Sequence, residues 1–118
     1  SSNICSNQAL CAFTAGVYLA AMGEDGMRQC ARLCLSKAHY FAGELERIGL
    51  KPKYAGAFFH EFVTEVPDAA CGRRILDALA KADILGGQEV DGGLLWCVTE
   101  VVSREELDRA AAIVKEVL

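Results

Sequence analysis

Leu94-Leu95-Trp96-Cys97-Val98-Thr99-Glu100-Val101-Val102-Ser103-Arg104-Glu105-Glu106-Leu107 sets a strand and a helix start back to back. Residues 94–102 are mostly aliphatic, aromatic or β-branched and carry no charge before Glu100, the pattern of a central strand. Ser103 with Glu106 forms a capping box, in which each side chain satisfies a free backbone N–H of the first helical turn. Leu107, Ala111, Val114 and Leu118 then recur at helical spacing and give that helix its core face. A buried strand that leads straight into an amphipathic helix calls for a sheet with helices packed against it.

Moving upstream, Phe58–Val66 alternates as a second strand. Phe58, His60, Phe62, Thr64 and Val66 lie on one side, and Phe59, Glu61, Val63 and Glu65 on the other. Pro67-Asp68 opens a helix with Asp68 as N-cap and Cys71, Ile75, Leu79 and Ala82 as its buried stripe. Ile84-Leu85 reads as a short further strand. Gly86-Gly87 and Gly92-Gly93 read as turns around the acidic segment Gln88–Asp91. They are no phosphate cradle, because such a turn must run directly into a helix N-terminus, and acids repel the ligand.

Nearer the N-terminus, Met27, Cys30, Cys34, Ala38, Phe41, Leu45 and Ile48 recur every three or four residues, a helix that Gly49 and Pro52 end. Asn7–Met22 forms a separate helix, apolar on every side, which expects burial all round. The order α-α-β-α-(β)-β-α predicts an α+β fold: a short sheet covered on one face by helices.

Composition sets the outer limits. A chain of 118 residues suits a single domain over residues 1–118, and 53% hydrophobic against 24% charged residues excludes disorder. A net charge of −4, with bases spread evenly, argues against a nucleic-acid partner. The apolar run Ala9–Met22 is too short for a membrane span of about 20 residues. Ser1-Ser2-Asn3 has no basic lead-in for a signal peptide, and the first residue is not Met, so the chain reads as a piece of a longer protein.

Of the six cysteines, Cys11, Cys30, Cys34, Cys71 and Cys97 fall on apolar positions of helical or strand patterns. There they act as small hydrophobes, reduced in a cytoplasmic protein, with a secreted disulfide framework as the competing reading. Cys30, Cys34 and His39 lack a CxxC half-site, so no metal is expected. His60 reads as a strand histidine with a structural hydrogen bond, not as a general base, since no nucleophile stands at a fixed offset. His39 is placed on the surface and Trp96 in the core. The polar cluster Ser1–Gln8 has two readings that periodicity leaves open: an N-cap with a polar first turn, or groups facing a site built outside this chain.

Ser2-Asn3-Ile4-Cys5-Ser6-Asn7-Gln8-Ala9-Leu10 resembles the S-N-I-C-[ST]-x-Q-A-L signature of the glycine-cleavage P-protein, glycine dehydrogenase (decarboxylating), and within it subunit 1 of the two-chain bacterial form. Lys37-Ala38-His39-Tyr40, Phe58-Phe59-His60-Glu61-Phe62-Val63, Cys97-Val98-Thr99-Glu100 and Glu105-Glu106-Leu107-Asp108 match in the same order, so the resemblance covers essentially the whole chain. It implies the C-terminal small domain of a fold-type-I pyridoxal-phosphate enzyme, with residues 1–22 as an inter-domain helix. It further implies a cytoplasmic complex that decarboxylates glycine and passes the aminomethyl group to the lipoyl H-protein, with P-protein subunit 2 as partner and pyridoxal phosphate held there.

By that resemblance this chain is inactive alone, with no catalytic, cofactor-binding or metal residue of its own. Ser2, Asn3, Cys5 and Gln8 are the residues expected to face the partner near its active site. Lys37, Lys51, Lys53, Lys81 and Lys115 fall on solvated faces or loops, so none is set for a Schiff base, and no arginine occurs in Leu94–Cys97 to clamp a substrate carboxylate. Between Gly87 and Leu94 the sequence is shorter than the family pattern. Two other readings stand beside this one: a self-contained α+β regulatory domain that binds a small ligand or partner, and the small domain of another pyridoxal-phosphate enzyme, such as an aminotransferase.

Overall fold

The structure, a computed structural model, describes residues 8–118. Its elements run α1 (Gln8–Arg47), β1 (Glu61–Glu65), α2 (Ala69–Lys81), β2 (Gln88–Val90), β3 (Gly93–Cys97) and α3 (Arg104–Val117). The chain divides into two compact units, one ending at Ala31 and the other running from Arg32 to Leu118. No described helix is long and apolar enough to cross a membrane.

The two helices expected over 7–22 and 27–48 are both present in α1, and they meet at a kink at Gly23, within the first unit. Gly23 has φ +61° and ψ −177°, a backbone state that only glycine enters freely, so the turn there bends without a loop. The expectation of all-round burial fails within this chain: Leu10, Phe13, Val17, Tyr18 and Leu19 are all half or more exposed, Phe13 at 70%. Arg28 pairs with Glu24 and Asp25 on the surface, at 3.1 Å to Asp25 Oδ1.

The second unit holds the core. Ala38, Phe41 and Leu45 from α1, Ile75 and Leu79 from α2, and Leu107, Ala111 and Val114 from α3 pack with Phe62, Leu94 and Trp96 of the sheet. Leu118, expected with them, is 45% exposed because α3 ends before it. The sheet is antiparallel in the order β1-β3-β2, so β3 is central, as the run from Leu94 predicts. Phe62 stands opposite Trp96 and Thr64 opposite Leu94 on the covered face, while Glu61 and Val63 stand opposite Cys97 and Leu95 on the other. Helices therefore cover one face, in agreement with an α+β fold. Thr64 is the buried polar residue of this core, and its Oγ1 accepts a hydrogen bond from Trp96 Nε1 at 2.9 Å.

Helix ends follow their local chemistry. Asp68 caps α2, its Oδ1 accepting from Cys71 N at 2.7 Å, and Ser103 and Glu106 complete the capping box of α3. Gly49, at φ +111°, ends α1 as expected, with Leu50 N donating to Leu45 O at 3.0 Å. At the end of α2, Asp83 takes the same left-handed position, and Ile84 N donates to Leu79 O at 2.9 Å. That cap engages Ile84 and turns the chain outward, leaving Leu85 fully exposed, so the strand expected at Ile84-Leu85 does not form. The third strand is Gln88–Val90 instead, in the acidic segment between the two glycine turns. It is short, with Gln88 and Glu89 exposed, and pairs with one side of β3.

Strands β1 and β3 are shorter than the sequence suggests. Their register begins at Glu61 opposite Cys97, so Phe58–His60 lies beyond the ladder and residues 99–102 turn toward the Ser103 cap. Val98 N still donates to His60 O at 2.9 Å. Along the outer side of β1, Lys53 N donates to Val63 O and Glu65 N to Lys51 O, both at 2.8 Å, with Pro52 bridged to Thr64 between them.

Candidate functional site

One helical turn, Lys37–Tyr40, gathers the other sequence motifs around it. Lys37 Nζ donates to the carbonyl of Glu100. The His39 ring stacks on Phe58 at 4.0 Å and 5° between planes, and its Nε2 donates to Phe58 O at 3.0 Å. Tyr40 donates to Asp108 Oδ1, and the Arg104 guanidinium sits 4.5 Å over the Tyr40 ring. Each motif that carries the family resemblance in residues 37–108 thus meets the others through this turn. His39 is exposed, as placed from the sequence, but it is engaged on both faces of its role: ring and nitrogen.

Beside this turn, His60, Glu61 and Cys97 come together at the open end of the β1–β3 pair. One donor atom from each lies within 4.8 Å of the other two. Cys97 and Glu61 are partners in the register and share the uncovered face. Cys97 is exposed, as is Cys11, so the expectation that both pack as small hydrophobes fails; Cys34 and Cys71 do so. The five described cysteines are free thiols, and Cys5 lies outside the described residues. Partial burial raises the Cys97 thiol pKa, and the nearby Glu61 carboxylate and Cys34 raise it further. Cys34 Sγ in turn donates to Glu100 Oε2 at 3.3 Å. His60 departs from its expected role: its Nδ1 is buried and makes no hydrogen bond among the described residues.

Reading along the sequence misses this group, since His60 and Glu61 are remote from Cys97 in the chain. The alternation of the two strands placed Glu61 on the side away from Phe62, but the register that brings it to Cys97 needs the fold.

A cleft of about 290 Å³ opens between the α2–β2 connection, β3 and α3. Ile84, Gly86, Trp96, Val102 and Leu107 give it apolar walls, and Glu106 and Arg109 its polar rim. Arg109 already donates to Ala82 O, and no lysine lines the cleft. Of the five lysines, Lys37 and Lys53 donate to main-chain carbonyls, of Glu100 and Asp91, and Lys51, Lys81 and Lys115 are exposed. The described residues therefore do not fit a Schiff-base cofactor site, which wants a lysine enclosed by apolar walls. Of the four residues expected to face a partner, Ser2, Asn3 and Cys5 lie outside the described residues, and Gln8 opens α1, exposed.

Comparison with known proteins agrees with this arrangement. A family profile described as "Glycine cleavage system P-protein" matches residues 1–114. "Probable glycine dehydrogenase (decarboxylating) subunit 1" of Moorella thermoacetica is 44% identical over 99% of this chain and 28% of its own length. The protein of the same name from Syntrophomonas wolfei is 45% identical over 97% of the chain and 25% of its own. Among solved structures, a crystal structure of glycine decarboxylase (P-protein) of the glycine cleavage system, in inhibitor-bound form, superposes with a TM-score of 0.86 at 31% identity. It covers 99% of this chain and 28% of that one. The chain spans about a quarter of the length of the curated relatives it matches. With its motifs and nearly all of its residues accounted for by the match, the chain belongs to the glycine cleavage system P-protein family.

Proposed function

We propose that this chain is the small α+β portion of glycine dehydrogenase (decarboxylating) subunit 1. In that reading, the cytoplasmic parent complex decarboxylates glycine and passes the aminomethyl group to the lipoyl arm of the H-protein. Pyridoxal phosphate belongs to subunit 2, where, when bound, it supplies the electron sink for loss of the glycine carboxylate. The observation that carries the reading is the match over residues 1–114 joined to a 44% identical relative of that name.

What this chain contributes is a surface. Residues 1–22 are proposed as the inter-domain helix, with Ser2, Asn3, Cys5 and Gln8 turned toward subunit 2 near its active site. The exposed apolar side chains of Leu10, Phe13 and Val17 suit a helix that other protein covers. The chain is then inactive by itself.

The test is co-expression of the full-length parent with subunit 2, assayed for glycine–bicarbonate exchange in the presence of H-protein. Exchange is expected only when both subunits are present, and is expected to fall in Asn3→Ala and Gln8→Ala variants. Exchange that survives deletion of residues 1–118 from the parent would show the proposal wrong.

A further inference from the structure

We infer that His60, Glu61 and Cys97 form a binding site for a divalent metal ion of the zinc class, clamping the end of the β1–β3 pair. A thiol, an imidazole and a carboxylate are the three donor types that zinc takes. The fold brings one of each together: the donor atoms lie within 4.8 Å of one another. Around a tetrahedral zinc, with bonds of about 2.0–2.3 Å, neighbouring donors stand roughly 3.3–3.8 Å apart. Small side-chain rotations of exposed Glu61 and Cys97 close that difference.

The backbone is fixed on both sides of the group. Glu61 and Cys97 face each other in the antiparallel register, and the Val98 N to His60 O bond at 2.9 Å holds His60 beside them. An independent observation points the same way. Among the described residues the buried Nδ1 of His60 has no hydrogen-bond partner, and a nitrogen left so is satisfied by a metal as well as by a donor. The Cys97 thiol gives its proton to solvent as the sulfur–metal bond forms, and no redox change is involved. The fourth position is left for water or for a residue of another chain.

The experiment uses the chain stripped with a chelator and titrated with Co²⁺, a spectroscopic stand-in for zinc. A thiolate-to-cobalt charge-transfer band is expected to saturate at one equivalent and to vanish when Zn²⁺ is added. Cys97→Ser should abolish it, Glu61→Gln and His60→Asn should weaken binding at least about 10-fold, and Cys11→Ser should leave it intact. Circular dichroism of each variant checks that the fold persists. Zinc should also raise the unfolding temperature of the chain but not of Cys97→Ser. Absence of the band at one equivalent, or its persistence in folded Cys97→Ser, overturns the inference.

Discussion

At the scale of single residues, the Thr64–Trp96 pair decides how the sheet packs. Trp96 is 4% exposed and Thr64 1%, so neither polar group has water to turn to, and each relies on the 2.9 Å bond between them. Thr64→Val keeps the shape but leaves the indole N–H unsatisfied. It should cost about 1–3 kcal/mol. Adding Trp96→Phe to Thr64→Val removes the stranded donor, so the double variant should lose less than the two single losses combined. Urea unfolding of the three variants measures the coupling, and strict additivity would count against it. The core residues of this pair were legible from alternation alone. The bond between them was not, since it needs the register of β1 on β3. The same is true of Cys97 and Glu61, whose partnership no spacing rule along the chain announces.

At the scale of elements, the starts and stops were plain in the sequence where side chains make them. Asp68, Ser103, Glu106 and Gly49 each act locally, and each does in the structure what its type dictates. Elements set by non-local pairing were harder to read. Ile84-Leu85 has the composition of a strand, yet the cap at Asp83 takes its backbone away, and β3 recruits the polar Gln88–Val90 instead. The kink of α1 rests on Gly23, whose non-helical backbone parts one helix from the next.

The α3 capping box offers a pH test. Hydrogen bonds from the Ser103 backbone N–H, first, and then from its side chain hold the Glu106 carboxyl below its ordinary range. A carboxyl with a depressed folded pKa stabilises the fold above its unfolded pKa, and that contribution is lost as pH falls through the folded value. Ser103→Ala should cost about 1 kcal/mol near neutral pH. Glu106→Gln should flatten the acid limb of the stability curve. Thermal melts across the acidic range would reveal an unchanged limb if the cap were idle.

At the scale of the whole molecule, the exposed side chains of α1 dominate behaviour in solution. Leu10, Phe13, Val17 and Leu19 are each more than half exposed, and each large apolar side chain left in water forgoes about 1.5–3 kcal/mol of burial. The isolated chain is therefore expected to self-associate, or to let this part of α1 fray. Sedimentation over a concentration range, with hydrogen exchange, checks both. A monomer at every concentration with α1 as well protected as β3 would refute the expectation, while Phe13→Glu should shift the balance toward monomer. The sheet sets what kind of association this is. On one side β1 is already lined by Lys51–Lys53, where Pro52 has no N–H to offer; on the other, β2 is three residues long and presents the charge of Glu89. Both edges are blunted against an incoming strand, so crowding this chain is expected to give reversible helix-mediated oligomers and not cross-β fibres.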